Sequence, residues 1–277
     1  MSDGSSSPIA WCDGRWGAPA DLAIPLADRG LQLADGLFET VLVLDGQPQL
    51  LTPHLQRWQA GAALLGMAPP PAATELAPLI TAAIARAGLN HGSGALRLNW
   101  SRGDSRGRGI ELEPGPAQPE QHRFWLQLSP HQPSFTPLRA IVSRHERRNA
   151  GSRLSGCKTF AYGQAIQARR EARAAGADEA LLRSSSGELC CASTANLLVR
   201  RQGQWLTPPL SSGCLPGVMR GRLLALGLAQ ESRLEPEPQP EDQWLLINSL
   251  SCRPVCEVDG QTLEPFAEAA ALWRRLL

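Results

Sequence analysis

The sequence predicts an α+β protein in two lobes, and three observations carry that expectation. Strand-like and helix-like stretches are mixed instead of alternating in βα units. Several strands show a period-two apolar pattern, among them Ala95 to Ser101 (ALRLNWS) and Arg123 to Leu128 (RFWLQL). Residues 131–137 (HQPSFTP) hold two prolines and no apolar period, which marks a linker. It separates a small N-terminal domain of α/β character, 1–130, from a larger C-terminal domain, 138–277.

The elements follow in order. Ile9 to Asp13 reads as a strand, and Phe38 to Leu44 (FETVLVL) as another, closed by the Asp45-Gly46 turn before Gln49 to Leu51. Thr52-Pro53 reads as a helix start with Thr52 as N-cap, and a second helix is expected over 73–88. Beyond the linker come a strand from Leu138 to Ser143, a helix over 160–175 stopped by Gly176, and a strand from Glu179 to Arg183. Strands over 189–199 and 203–206 precede an amphipathic helix over 217–228, with Met219, Leu223 and Leu226 on one face. Strands from Trp244 to Asn248 and Arg253 to Val258 and a helix over 264–276 complete the chain.

The 277 residues are 43% hydrophobic and 19% charged, with 27 basic and 26 acidic side chains and a net charge of +1. That balance argues against nucleic-acid and membrane-surface partners, which call for a basic excess. No apolar run reaches eighteen residues, and the N-terminus lacks a basic start and apolar stretch, so a cytoplasmic protein is expected. Seven cysteines without a CxxC pair or a matched histidine pair point to neither a disulfide framework nor a metal site.

Of the 27 basic side chains, 26 are arginine and one, Lys158, is lysine. Coding bias explains the depletion but not the exception. Guanidinium serves wherever charge and hydrogen bonds suffice, yet it cannot lose its proton and attack a carbonyl. A lone primary amine is therefore a candidate Schiff-base or general-base residue. A phosphate-bearing aldehyde cofactor would also want a helix N-terminus, such as Gly217-Val218-Met219 after Pro216, and an arginine, such as Arg57.

Taken in order, these pieces resemble the pyridoxal-phosphate enzymes of fold type IV, which include the branched-chain and D-amino acid aminotransferases and aminodeoxychorismate lyase. The similarity spans about residues 9–266: DRGLQLADGLFET at 28–40, HLQR at 54–57, SRGDSRGRGI at 101–110, Lys158, ADEALL at 177–182, CCASTANLL at 190–198, GCLPGVMR at 213–220 and INSLSCRPV at 247–255. It implies a two-domain D-amino acid aminotransferase-like fold and pyridoxal 5'-phosphate as cofactor. It also implies a small-molecule substrate and a homodimer. By the same resemblance, Lys158 in the C-terminal domain is the Schiff-base lysine. Arg57, Gly217, Val218 and Met219 hold the phosphate, with further contacts from Ser249 and Leu250, and Tyr162 bonds the cofactor's phenolic oxygen. Arg108 or Arg106 takes a substrate carboxylate, and Asn248 is a polar substrate contact. Whether Arg97 faces the cleft stays open.

One position departs from the family pattern. Five residues before Asn196, where the family places a glutamate against the pyridine nitrogen, stands Cys191. Glu188 lies three residues further upstream, and on a regular strand that odd offset points it to the opposite face unless a bulge intervenes. A thiol is a weak hydrogen-bond partner and leaves the ring nitrogen less protonated than a carboxylate does. Elimination tolerates that better than transamination, so the departure favours aminodeoxychorismate lyase, cleaving 4-amino-4-deoxychorismate to 4-aminobenzoate and pyruvate for folate synthesis. The alternatives are an aminotransferase of the same fold and a catalytically silent cofactor-binding homologue.

Overall fold

The computed structural model describes residues 6–105, 109–112 and 115–277. Two compact units divide the chain: Met1–Gln132 with Cys157–Ala161, and Pro133–Gly156 with Tyr162–Leu277. The fold mixes helix and sheet as expected.

The first unit is built on a six-stranded sheet. Its strands are β1 (Ile9–Cys12), β2 (Arg15–Gly17), β3 (Gly36–Leu44), β4 (Gln47–Pro48), β5 (Ser93–Ser101) and β6 (Arg123–Pro130), in the order β2-β1-β6-β5-β3-β4. Three helices accompany them: α1 (Arg29–Leu33), α2 (Leu51–Leu64) and α3 (Ala73–Arg86). Alternation divides the residues of the long central strands between two faces. Leu37, Val41, Leu96, Leu98, Leu126 and Leu128 pack with Trp58, Leu76, Ile80 and Ile84 from α2 and α3. Each such burial contributes about 1.5–3 kcal/mol.

The sequence did not announce α1. Asp28 caps it, its carboxylate accepting from the amides of Gly30 (2.8 Å) and Leu31 (3.3 Å). The start of α2 also differs from expectation. Its N-cap is Leu50, in the left-handed region at φ 51, so Thr52 and Pro53 fall inside the first turn, where proline's missing N–H costs nothing.

The second unit contains β7 (Leu138–Arg148), α4 (Gly163–Ala174), β8 (Glu179–Ser184), β9 (Leu189–Ala192), β10 (Asn196–Arg201) and β11 (Gln204–Thr207). Then come α5 (Val218–Ala225), β12 (Ala229–Glu231), β13 (Gln243–Asn248), β14 (Ser251–Val258), β15 (Gln261–Thr262) and α6 (Ala269–Leu276). The strand order is β12-β11-β10-β13-β14-β7-β8-β9, and β9 pairs again with β10, so six strands close into a ring. The single strand expected over 189–199 is in fact this β9–β10 hairpin, because Ser193 and Thr194 turn the chain. Leu226 was expected on the buried face of α5, but the helix ends at Ala225 and Leu226 is 45% exposed. No helix among the described residues is long and apolar enough to cross a membrane.

Lys158 belongs to the first unit and not, as expected, to the C-terminal one. Residues 158–160 lie against the start of β3 as an added antiparallel strand. Phe38 N donates to Lys158 O (2.9 Å), Phe160 N donates to Gly36 O (3.1 Å), and Leu37 bridges Thr159. Backbone pairing overrides chain order here. It also explains Gly36: a Cβ there would lie 2.2 Å from Cε2 of Phe160. Gly36→Ala is expected to cost about 1–3 kcal/mol through overpacking. Its melting temperature should fall by several degrees, and hydrogen exchange of the Phe38 and Phe160 amides should accelerate.

Candidate active site

Within the first unit, two constellations flank β3. On the α2 side, Glu39 is completely buried and receives three bonds. Arg57 donates from Nε to Oε1 (2.8 Å) and from Nη2 to Oε2 (2.6 Å), and His54 Nδ1 lies 2.7 Å from Oε2. Burial alone pushes the Glu39 carboxyl up, but the charge of Arg57 and the bonds from His54 and Arg57 outweigh it and hold the group at about 2. Burial pushes His54 down against the opposing pull of Glu39, so it is neutral and donates its Nδ1–H to the carboxylate. Two of the three guanidinium nitrogens of Arg57 are thus fixed before any ligand arrives.

On the opposite face, Phe38 pairs across the ladder with Asn99 and Thr40 with Arg97. Lys158, opposite Phe38 on the added strand, places its Nζ 4.3 Å from the Phe38 ring centroid. The Arg97 guanidinium stacks 3.5 Å from that same centroid. Its Nε donates to Asn99 Oδ1 (2.7 Å), and Asn99 Nδ2 donates to Trp125 O (3.3 Å). Arg97, left open by the sequence, therefore shares an aromatic platform with Lys158. Alternation gave the parity of Arg97, but only the ladder shows which face that parity selects.

Within the second unit, α5 begins at Gly217, and Gly221 N closes its first turn onto Gly217 O (2.8 Å). The amides of Val218 and Met219 precede the first intrahelical bond, a geometry of the kind that can receive an anion. Asn196 shapes the approach: its Nδ2 donates to Leu215 O (2.9 Å), and a Cβ on Gly217 would sit 1.9 Å from its Oδ1.

Asn196 pairs with Cys191 across the β9–β10 hairpin. Cys191 packs with Cys190, Cys214, Ala168, Ala172, Ala180 and Leu182. The register runs from Leu182↔Cys191 to Arg183↔Leu189, so Cys190 is the extra residue of a bulge. That bulge reverses the parity argument for Glu188. Its buried carboxylate accepts from Ser212 Oγ (2.8 Å) through Oε1.

Asn248 has an internal task. Its Oδ1 accepts from Leu250 N (2.8 Å) and Ser251 Oγ (3.2 Å), and its Nδ2 donates to Thr194 O (3.2 Å). It thereby shapes the turn that carries Ser249. Tyr162 precedes α4 and lines a cavity of about 650 Å³ with Ile166, Arg169, Ser193 and Thr194. Sequence reading missed the buried Glu179 beside it, which takes bonds from Arg169 and from Ser193 Oγ (2.5 Å). Arg106 and Arg108 lie outside the described residues.

Comparison with known proteins fits this arrangement. The pattern of the family described as amino-transferase class IV matches residues 36–258. A Schizosaccharomyces pombe protein provisionally named aminodeoxychorismate lyase is 28% identical over 229 residues, 80% of this chain and 87% of that one. The branched-chain aminotransferase of Thermoproteus uzoniensis, solved with norvaline, shares the fold at a TM-score of 0.84 and 21% identity, covering 98% of this chain and 93% of that one. A Mycobacterium tuberculosis hypothetical aminotransferase in its PLP-bound form superposes at 0.79 with 22% identity, covering 97% of each chain.

Two substitutions probe these constellations. Glu39 is held below its ordinary value of 4.5, so the stability it contributes is complete above about pH 4.5 and is lost as pH falls toward 2. Glu39→Gln should cost about 3 kcal/mol at pH 7, because Arg57 loses its buried counter-charge. Denaturant titrations should show the gap from the parent chain narrowing markedly by pH 3. Gly217→Ala must displace the Asn196 carboxamide, and uptake of pyridoxal phosphate, followed by its visible absorbance, should weaken about tenfold or more.

Proposed function

Within the class IV aminotransferases, the family to which this chain belongs, we propose that it acts as an aminodeoxychorismate lyase, converting 4-amino-4-deoxychorismate to 4-aminobenzoate and pyruvate. The family depends on pyridoxal phosphate, and the residues present fit that group. The chain offers one primary side-chain amine, a glycine-opened helix start for a phosphate, and an arginine already oriented by Glu39. When bound, the cofactor supplies a sink for the electron pair left at the substrate's reacting carbon.

Lys158 holds the cofactor and then moves the proton, taking it from the carbon bearing the amine and delivering it to the departing enolpyruvate. Breaking that C–H bond and the C–O bond to the enolpyruvyl group gives the aromatic amine and pyruvate, with no other reactant. Arg57 and the amides of Val218 and Met219 bind the phosphate. Arg97, stacked on Phe38 and oriented by Asn99, offers its guanidinium edge to one of the two substrate carboxylates. Arg106 or Arg108 serves the other.

The pairing of Asn196 with Cys191 carries the choice of elimination over amino transfer. It sets a thiol where the family pattern has a carboxylate, and the nearest acid, Glu188, is engaged by Ser212. A shallower sink suits a reaction whose leaving group departs from the adjacent carbon and whose product gains aromaticity. The Schizosaccharomyces pombe relative supports the same reading.

A homodimer is proposed on the first unit's exposed apolar residues Leu26 (82%), Leu31, Leu33, Ile110 (77%) and Leu112. A cytoplasmic setting is proposed with it.

Incubation with enzymatically made aminodeoxychorismate should give equimolar 4-aminobenzoate and pyruvate, with both lost in Lys158→Ala. Amino transfer to a 2-oxo acid without pyruvate release would assign the protein to the aminotransferases instead. Sedimentation should show a dimer that Leu26→Glu with Ile110→Glu dissociates.

A further inference from the structure

Within the second unit, α6 is hydrogen-bonded to two separate elements. It lays Ala269, Trp273 and Leu276 on one buried face at helical spacing and packs against β14 and α5. The Trp273 indole, only 1% exposed, donates from Nε1 to Asn248 O (2.9 Å). One turn further along the helix, Leu276 O accepts from Arg222 Nε (3.2 Å), a residue one turn inside α5.

Asn248 O belongs to the neck of the β13–β14 hairpin, whose two-residue tip, Ser249-Leu250, lies between the paired Asn248 and Ser251. The register of the sheet brings this tip to the start of α5. Asn196 stands opposite Ile247, the residue before Asn248. The same Asn196 holds Leu215 O through Nδ2 and leaves no room for a Cβ on Gly217. The hairpin tip and the α5 amides therefore gather around one strand end.

Packing alone does not call for tryptophan at 273. Phenylalanine would fill most of the same space beside the edge of Phe135 (5.5 Å between ring centroids) and bring no polar atom into the core. A buried indole N–H is a donor only and needs an acceptor, so its cost is offset by the bond it makes. That bond falls on the one carbonyl from which the tip springs. The Asn248 carboxamide sets the shape of the tip through Leu250 N and Ser251 Oγ. The helix α6, bonded to the tip at one point and to α5 at another, sets how the two stand to each other.

We propose that Trp273 is a positioning residue for the cofactor's phosphate: through Asn248 O it holds Ser249 where its hydroxyl and the α5 amides reach the same anion. The inference rests on the reading that this phosphate lies at the start of α5. Trp273 acts through the hairpin and not by contact with the cofactor.

The test takes the full chain freed of cofactor, with Trp273→Phe, Ser249→Ala and the double substitution, and measures uptake of pyridoxal phosphate and of pyridoxal by equilibrium dialysis. In Trp273→Phe the affinity for pyridoxal phosphate should fall about tenfold, while that for pyridoxal stays within about twofold. A merely structural role would weaken both alike. Ser249→Ala should lose a similar factor, and the double substitution should lose little beyond either alone, because both remove one contact. Hydrogen exchange of the peptide 246–252 should quicken about tenfold in Trp273→Phe, with β8 unchanged. Equal losses for the two ligands, losses that multiply in the double substitution, or unchanged exchange at 246–252 overturn the proposal. A measurement on the parent chain does not depend on how any variant folds. Pyridoxal phosphate, and not pyridoxal, should slow exchange at both 217–221 and 248–251, and protection of 217–221 alone overturns the proposal. Should the parent chain take up no pyridoxal phosphate, or protect neither segment, the cofactor reading fails on its own. The exchange arm on Trp273→Phe would still decide whether the indole holds the hairpin.

Discussion

A short piece of backbone pairing organises the first unit's chemistry. Residues 158–160 lie along the opening of β3, with Lys158 opposite Phe38, so the amine's position follows from ladder geometry. Strand register is a stiff constraint, because a slip of one residue would move the lysine to the other face. The register that sets Lys158 opposite Phe38 on one edge of β3 has Asn99 opposite the same residue on the other edge, with Arg97 two residues along β5. The next inward residue, Cys157, joins the apolar core on the α2 side.

Guanidinium forks on buried carboxylates recur in this chain. Arg57 grips Glu39, Arg201 grips Asp242 through two bonds (2.9 and 2.7 Å), and Arg169 engages Glu179, while in the Arg220–Glu231 pair it is the arginine that is buried. An arginine-rich chain suits such sites, since bidentate pairing fixes orientation as well as charge. Lys158, the one lysine of the sequence, rests with its Nζ 4.3 Å from the Phe38 ring centroid.

Much of this was legible in the sequence, and the failures have physical causes. Period-two strands such as Ala95 to Ser101 were readable because alternation is local, and the Gly-Pro-Gly helix start was readable from turn chemistry. The partner of Arg57 was not, because Glu39 meets it only when α2 packs on β3. Nor was the lobe of Lys158, which depends on a pairing between residues more than a hundred positions apart. The bulge at Cys190 escaped because it shows only in the register of β8 against β9. Thr52 looked like an N-cap by type, but Leu50 adopts the left-handed conformation that starts the helix earlier. Asn248 invited a substrate role by its motif, while its carboxamide is engaged by the turn it sits in.

The added strand on β3 has a bearing on how the chain is made. The first 132 residues cannot finish their own unit, because the hydrogen-bonding edge at Gly36–Phe38 is filled by residues that leave the ribosome later. Until position 160 has emerged, that edge and the cavity left for Cys157 and Phe160 stay open to solvent and to chaperones. The N-terminal unit therefore matures only after part of its neighbour has been synthesised, and its completion coincides with the placing of Lys158.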